Sequence, residues 1–572
     1  MFRIKRLLRR SSKCPSQLAQ DLPPRILKRI AFYTSNFDPS TRCLGEGEEA
    51  SHAVTKDFLP LLSVCQGWRS VAKPIFYHSF SLTISADSTE IEATEDLTHS
   101  INDVIQSGAE SLARCVTITI PYTGVLNGKI PALLSSDYYQ NAVFPEVAQL
   151  RFNLYSGYNI TDDETADYSF YTECFCTHIH GLFPNARDYQ FKVYPFASAY
   201  DSEMIGGILM GLTQGTRTFE YIHSSSLVDI CGLTQLTNLT HICFQTDVSS
   251  EDCIEMVRMS AGTLESAELQ HVNIAGSWVD LVQDQQGNPI VYRCLRALSI
   301  HVDEHSLCGE LAAPEGTPFP SLTHLSCTGG YPFANDVLFR GNHATLQSLS
   351  VHIDVPKLLL FEEHGVFARE RYPNLQRMEI AGPNEDFSIE PALALKVARI
   401  PFEIGARVQS IWIQLDGWLQ GCTILHALRL SPHVRAQLRV FDACHIQFTL
   451  AETVELVRLL PNLDSLTCGL MDEAQWTSQQ GGMLSAKNLK DICSLKCTVG
   501  SRLLSFRLGS CEGVTGRKAL EYVLTLAILF PSLKRVNGTS QIGDRFDGYF
   551  NEVLAKPDYW PYSRHLRTLE IA

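Results

Sequence analysis

A chain of 572 residues, 45% of them apolar, is too long for one hydrophobic core and apolar enough to fold as a large body. Its formal charge of −15 argues against nucleic acid or an anionic membrane as the main partner, because phosphate binding needs a basic footprint. No apolar run approaches the roughly 20 residues that a membrane helix requires. The 18 cysteines are scattered, many at apolar positions, which predicts small reduced hydrophobes in a core in place of disulfides. Near the N-terminus there is no apolar core of the roughly 7–15 residues that a signal peptide needs. The expected setting is therefore cytoplasm or nucleus.

Residues 1–20 carry Arg3, Lys5, Arg6, Arg9, Arg10 and Lys13 with no acid. A solvated disordered arm is the expectation, with a nuclear localisation patch and a transit peptide as competing readings. Residues 21–82 then read as a small helical module. Asp21 can cap a helix with Pro23 in its first turn, where the missing N–H is harmless. Leu22, Ile26, Leu27, Ile30 and Tyr33 follow on one face. After a polar interval from Asn36 to Ala53, Asp57 can cap a second helix. It carries Phe58, Leu61, Leu62, Cys65, Trp68 and Ala72 at helical spacing, and Pro74 ends it. So small a helix pair buries little surface by itself, so Leu62, Val64 and Trp68 call for a docking partner or a following domain.

Leu22-Pro23-x-x-Ile26-Leu27-x-x-Ile30, followed by Leu61-Leu62-x-Val64-Cys65-x-x-Trp68-Arg69, resembles an F-box. The trailing Pro74-x-Phe76-Tyr77-x-x-Phe80-x-Leu82 is similar to the strand that often follows it in fungal F-box-like proteins. The resemblance implies a helical domain that binds the Skp-type adaptor of a cullin ubiquitin ligase. Leu22, Pro23, Ile26, Leu27, Ile30, Leu61, Leu62, Val64 and Trp68 would make that contact. The interval between the two halves is longer than in a typical F-box and contains Gly45-Glu-Gly-Glu-Glu49; loop closure makes such an insertion inexpensive.

Residues 83–572 read as one repeat domain, organised from about residue 144 to the C-terminus by a recurring kernel, Leu-x-x-Leu-x-apolar, often led in by an aromatic or Leu, then Pro, then Asn or Ser. Leu322-Thr-His-Leu325-Ser-Cys327, Leu346-Gln-Ser-Leu349-Ser-Val351, Leu375-Gln-Arg-Met378-Glu-Ile380 and Leu463-Asp-Ser-Leu466-Thr-Cys468 are instances. Apolar fourth and sixth positions alternating with polar ones give the period of a strand with one buried face. Between Leu239 and Leu375 the kernels lie 25, 31, 27, 24 and 29 residues apart, and then the spacing lengthens. Leu520, Val523, Leu524, Ala527 and Ile528 have helical spacing ahead of Phe530-Pro531. Helix and strand in alternation cannot bury an apolar face alone and must stack on neighbours. The predicted fold is an α/β solenoid, an irregular horseshoe that resembles leucine-rich repeats. Before the kernels, a helix over Leu97–Leu112 and a strand over Val116–Ile120 are expected. Gly276–Pro289 and Ala381–Pro391 read as surface loops.

Catalytic motifs are missing from the sequence: no phosphate-cradling Gly-Lys-Ser or Gly-Lys-Thr loop, no Gly-x-Ser-x-Gly elbow, no His-Glu-x-x-His helix. Cys174-x-Cys176-x-His178-x-His180 has the look of a metal site, but Tyr171, Cys174, Phe175, His178 and Leu182 sit at helical spacing, and on a helix the four ligands split between two faces. No metal, cofactor or catalytic residue is expected. Function then falls to the polar residues flanking each central Leu, which point away from the core. They include His241, His324, Ser326, Ser348, Ser350, Arg377, Glu379, Ser465, Thr467 and Arg535, a surface that would read a protein target by shape and hydrogen bonds. Together with the F-box resemblance, this implies the substrate-recognition subunit of a cullin-type ligase. The alternative is an interaction scaffold whose F-box-like segment only caps the solenoid, and an enzyme ranks last, to be revived by a ligand-sized pocket lined with ionisable groups.

Overall fold

The computed structural model describes residues 73–74, 77–83, 101–121, 134, 142–155, 168–193, 208, 211–212, 216–221, 237–245, 250–270, 279–284, 286–302, 318–329, 343–352, 358–359, 362–363, 367–382, 391–405, 407–415, 419–470, 502–509, 516–537 and 570–571. The chain divides into two units, residues 1–264 and 265–572, with the boundary inside the stretch that the sequence reads as one repeat domain.

Both units are α/β with parallel strands. The first holds β1 (Ser79–Thr83), β2 (Cys115–Pro121), β3 (Gln149–Tyr155), β4 (Asp188–Val193), β5 (Thr216–Tyr221) and β6 (His241–Gln245), each paired in parallel with the next. The second holds β7 (Ser266–Gln270), β8 (Ala297–Val302), β9 (His324–Gly329), β10 (Ser348–His352), β11 (Arg377–Ala381) and β12 (Ser410–Gln414). It continues with β13 (Val440–Phe448), β14 (Ser465–Leu470), β15 (Ser505–Leu508), β16 (Arg535–Asn537) and β17 (Glu570–Ile571), again paired in chain order.

Every kernel named above falls on one of these strands, and the alternation does what its period predicts. Leu325, Leu349, Val351, Met378, Ile380, Leu466 and Cys468 are all 2% exposed or less. The lengthening of the spacing after Leu375 is corrected by further kernels, Val408-Gln-Ser-Ile411, Leu438-Arg-Val-Phe441 and Leu503-Leu-Ser-Phe506, which form β12, β13 and β15. The lead-in residues have a structural task as well. Asn374 and Asn462 donate their side-chain amides to the carbonyls of Ala344 and Ala436, each at 2.7 Å, and Asn185 donates to Pro145 at 2.8 Å. Each asparagine thus fastens its own turn of chain to the turn before it. Backbone bonds repeat the stitch: the carbonyl just ahead of one strand accepts two successive N–H groups from the next, as Thr323 does from Gln347 and Ser348, and Gln347 from Gln376 and Arg377. The aromatic lead-in positions pack against their neighbours, with Phe144 at 5.4 Å from Phe183 and Tyr292 at 5.4 Å from Phe319.

The helices follow their sequence signals with some differences. The helix expected over Leu97–Leu112 is shorter, α1 (Ile101–Gln106) followed by a turn of 3-10 helix at Glu110–Leu112. Gly108, at φ 58°, stops it in a left-handed C-cap, where Ala109 N–H reaches Val104 and Gly108 N–H reaches Ile105. Between β3 and β4 lies α2 (Tyr168–Leu182); α3 (Ser250–Met259) follows β6. The surface loop expected at Gly276–Pro289 instead contains a short helix, α4 (Val279–Val282), and a β-bridge from Gln283 to Pro289. That bridge closes around Gly287, with Asp284 Oδ1 accepting the N–H groups of Gln286 and Asn288. In the second unit α5 (Pro391–Glu403) packs on α6 (Gly421–Leu430), and α6 packs on α8 (Leu450–Leu459), past the short α7 (Pro432–Arg435). Finally α9 (Gly516–Leu529) contains the expected 520–528 run and stops at Phe530-Pro531. Among the described residues no helix is long and apolar enough to cross a membrane.

Candidate partner-binding face

Parallel register decides which polar residues become neighbours. On the open face of β7–β12 one cross-strand row reads Ser266, Ala297, His324, Ser348, Arg377, Ser410. The next row reads Glu268, Ser299, Ser326, Ser350, Glu379, Trp412. Short side chains in the middle of both rows leave a depression of about 420 Å³, lined by these residues from β7 to β11 together with His352. His324, Ser326, Ser348, Ser350, Arg377 and Glu379, nominated from scattered kernels, therefore meet in one place.

At the β11 side the charges are locked together. Arg377 lies 3.0 Å from Glu379 Oε2 and covers the Trp412 ring at 4.4 Å, while the Trp412 indole N–H donates to Ser410 at 2.9 Å. His352 Nε2 lies 3.2 Å from Glu379 Oε1 and 2.9 Å from Ser350 Oγ. The hydrogen bond from His352 is the largest influence on Glu379; with the charges of His352 and Arg377 it outweighs burial and holds the carboxyl below the usual glutamate range.

Serine, histidine and glutamate in contact raise the question of catalysis, and the geometry answers it. A nucleophile relay needs the serine on one ring nitrogen and the carboxylate on the other. Here both contacts fall on Nε2, so the nitrogen that bonds the carboxylate is the one that would have to take the serine proton. A depressed carboxyl is also the wrong direction for acid–base work near neutrality. This pocket is ligand-sized and carries ionisable groups, yet it is arranged to hold charge in place.

Other nominated residues lie elsewhere. His241 is half-buried on β6 of the first unit, its Nδ1 2.8 Å from Thr240 Oγ1. Ser465 is half-buried and Arg535 exposed, on β14 and β16. Thr467 does not point to open space: it is 5% exposed, and its register partner Asp442 is 8% exposed. Both sit beside a three-residue bulge, Cys444–Ile446, that has no partner on β14. The Cys444 backbone comes so near Gly509 that a Cβ there would lie 2.1 Å from the Cys444 carbonyl oxygen. The polar face is thus open at β7–β11 and closed at β13–β14. The adaptor-contact set Leu22, Pro23, Ile26, Leu27, Ile30, Leu61, Leu62, Val64 and Trp68 lies outside the described residues.

The Cys174–His180 run is on α2, a helix as its periodicity predicts. Cys176 faces inward, its thiol directed at the Ile208 carbonyl, and burial pushes its pKa up to about 12, which opposes thiolate formation. His180 is on the exposed side, with Nε2 3.3 Å from the Gly211 carbonyl. Among the described residues no group of three or more His, Cys, Asp or Glu side chains could hold a metal ion.

Missed from the sequence were Ser266, Glu268 and His352. His352 carried a signal, since it extends the polar alternation Ser348, Ser350 by one more step. No protein-family model matches the chain, and a search of curated proteins finds no match.

Proposed function

We propose that the chain is a leucine-rich-repeat solenoid that serves as the substrate-recognition subunit of a cullin-type ubiquitin ligase, with no chemistry of its own, in cytoplasm or nucleus. The observation that carries this reading is the depression over β7–β11, where six nominated residues from three kernels line one hollow. Strands paired in chain order, each with one buried and one polar face, suit a stack of repeats presenting a partner surface. The ligase assignment rests on the Leu22-Pro23 to Trp68-Arg69 resemblance in the sequence. The mechanism is tethering. Adaptor held at the N-terminal helices and target held on the strand face raise the effective concentration of target lysines at the ubiquitin-charged enzyme.

One observation favours the alternative, an interaction scaffold whose F-box-like segment caps the first repeats. The strand that trails this segment, β1, pairs directly with β2, and Phe80 packs at 5.0 Å from Phe144. Pull-down of a Skp-type adaptor by the full-length protein and by a Leu22→Ala/Pro23→Ala variant separates the two. The ligase reading expects capture by the first and at least tenfold less by the second, a loss of about 1.4 kcal/mol. Capture by neither protein, with a lowered melting temperature for the variant, assigns the segment to capping.

A further inference from the structure

The sign of the charge reverses toward the end of the second unit. The chain carries −15 overall, yet its described residues 502–509 and 516–537 hold Arg502, Arg507, Arg517, Lys518, Lys534 and Arg535 against the single acid Glu521. Arg517, Lys518 and Glu521 belong to α9. The other four cations lie on or just ahead of β15 and β16, all exposed, with Glu570 of β17 as the acid in register with Arg535. None of the four makes a side-chain hydrogen bond or ion pair among the described residues.

An apolar residue sits among these charges. Just ahead of the strands a row runs Arg439, Asp464, Leu504, Lys534, in which the N–H of each later residue bonds the carbonyl of the one before it. Arg439 and Asp464 neutralise each other at 3.4 Å, whereas Leu504 is 37% exposed between that pair and Lys534. A large apolar side chain left in water and rimmed by arginines has the make-up of a protein interface. Arg535 stands opposite Ser505 and Arg507 opposite Asn537, so the two arginines are diagonal neighbours. Steps of about 4.8 Å across and about 6.7 Å along the strands put their Cα atoms about 8 Å apart. Charges spread in this way match single carboxylates on separate residues better than one compact phosphate, which calls for cations converging on a point. At physiological salt the Debye length is about 8 Å, so the local sign outweighs the charge of the distant chain. The closed stretch at β13–β14, where Asp442 and Thr467 are buried, separates this surface from the β7–β11 depression.

We propose that the β15–β16 end is a separate docking surface for a partner-protein segment in which an apolar side chain is flanked by aspartates or glutamates. The apolar residue covers Leu504, and the carboxylates meet Arg502, Arg507, Lys534 and Arg535.

Fluorescence anisotropy of a labelled, amidated nonapeptide with leucine at its centre and two glutamates on each side, titrated with the full-length protein, tests this. Companion peptides replace the leucine by serine, the glutamates by lysine, or the glutamates by phosphoserine. Binding is expected to weaken about three- to fivefold without the leucine and to vanish with lysine. Arg507→Glu/Arg535→Glu is expected to weaken it about tenfold or more, Arg507→Lys/Arg535→Lys to retain it, and Leu504→Ser to abolish the preference for leucine over serine. Should charge reversal lower the melting temperature, the neutral pair Arg507→Gln/Arg535→Gln takes its place, with loss again expected. No binding by the wild type, binding unchanged by removal of the two arginines, equal binding of the serine peptide, or tighter binding of the phosphoserine peptide overturns the proposal. Adaptor capture is read at residues 22–68, so a failure there and a failure here are distinct.

Discussion

Asn374 turns a compositional habit into a mechanical role. Its amide reaches back 30 residues to the Ala344 carbonyl, and it also accepts from Arg407 one turn ahead at 2.9 Å. Glu379 is the comparable case for charge. Its carboxyl titrates below the ordinary 4.5 because the folded state surrounds it with His352 and Arg377. The sign follows from linkage: a lowered folded pKa contributes stability that is present above the unfolded value and is lost as pH falls through the folded one. Thermal melts from pH 7 to pH 3 are therefore expected to show a steeper acid loss for the wild type than for Glu379→Gln. Parallel pH profiles would remove the ion pairs from any role in stability. Arg377 was legible as a polar strand residue and His352 was missed; their convergence on Glu379 depends on partners 2 and 27 residues away meeting along and across strands.

At the scale of elements, the bulge in β13 is the feature that kernel counting could not find. Three extra residues after Ala443 bring the Cys444 backbone against Gly509, and a methyl group at 509 would meet main-chain atoms at 2.1–2.8 Å. Backbone cannot step aside as a flexible side chain would. Gly509→Ala is thus expected to lower stability by about 2–3 kcal/mol in chemical denaturation, within the range for overpacking. A loss under about 0.5 kcal/mol would mean the bulge does not lie on β15. Thr467, which the alternation assigns to the open face, is buried opposite Asp442 on the strand that carries the bulge. Helix ends were more legible. Thr449 accepts from Glu452 N–H while the Glu452 carboxylate accepts from Thr449 N–H, the capping box that Thr-Leu-Ala-Glu spells out ahead of α8.

For the whole molecule the consequence is cooperativity that is local along the chain. In the second unit β8 to β16 are each bonded to the strand before and the strand after, so damage should spread to nearest neighbours first. Leu349→Ala, at a fully buried position on β10, is expected to cost about 3 kcal/mol. Native-state hydrogen exchange should then speed up at β9 and β11 before β15 responds. Uniform acceleration across the second unit would mean that it unfolds as one block. The open depression lies on this same run of strands, so a loosened β10 should also weaken partner binding there.

The sequence by itself determined the kernel strands, their buried faces and the positions of α1, α2 and α9, because those depend on residues within one or two turns of each other. Among the kernels that escaped it, Val408 stands where Leu is usual, and Phe441 and Phe506 are the central apolar residues of two others. What the tertiary structure alone decided is which polar side chains meet. His352 and Glu379 belong to different kernels, Glu268 faces Ser299 only through parallel register, and Thr467 is buried opposite Asp442 of a neighbouring strand. Periodicity fixes which side of a strand a residue occupies, whereas its neighbours on that side are set by register and by the length of every intervening connection.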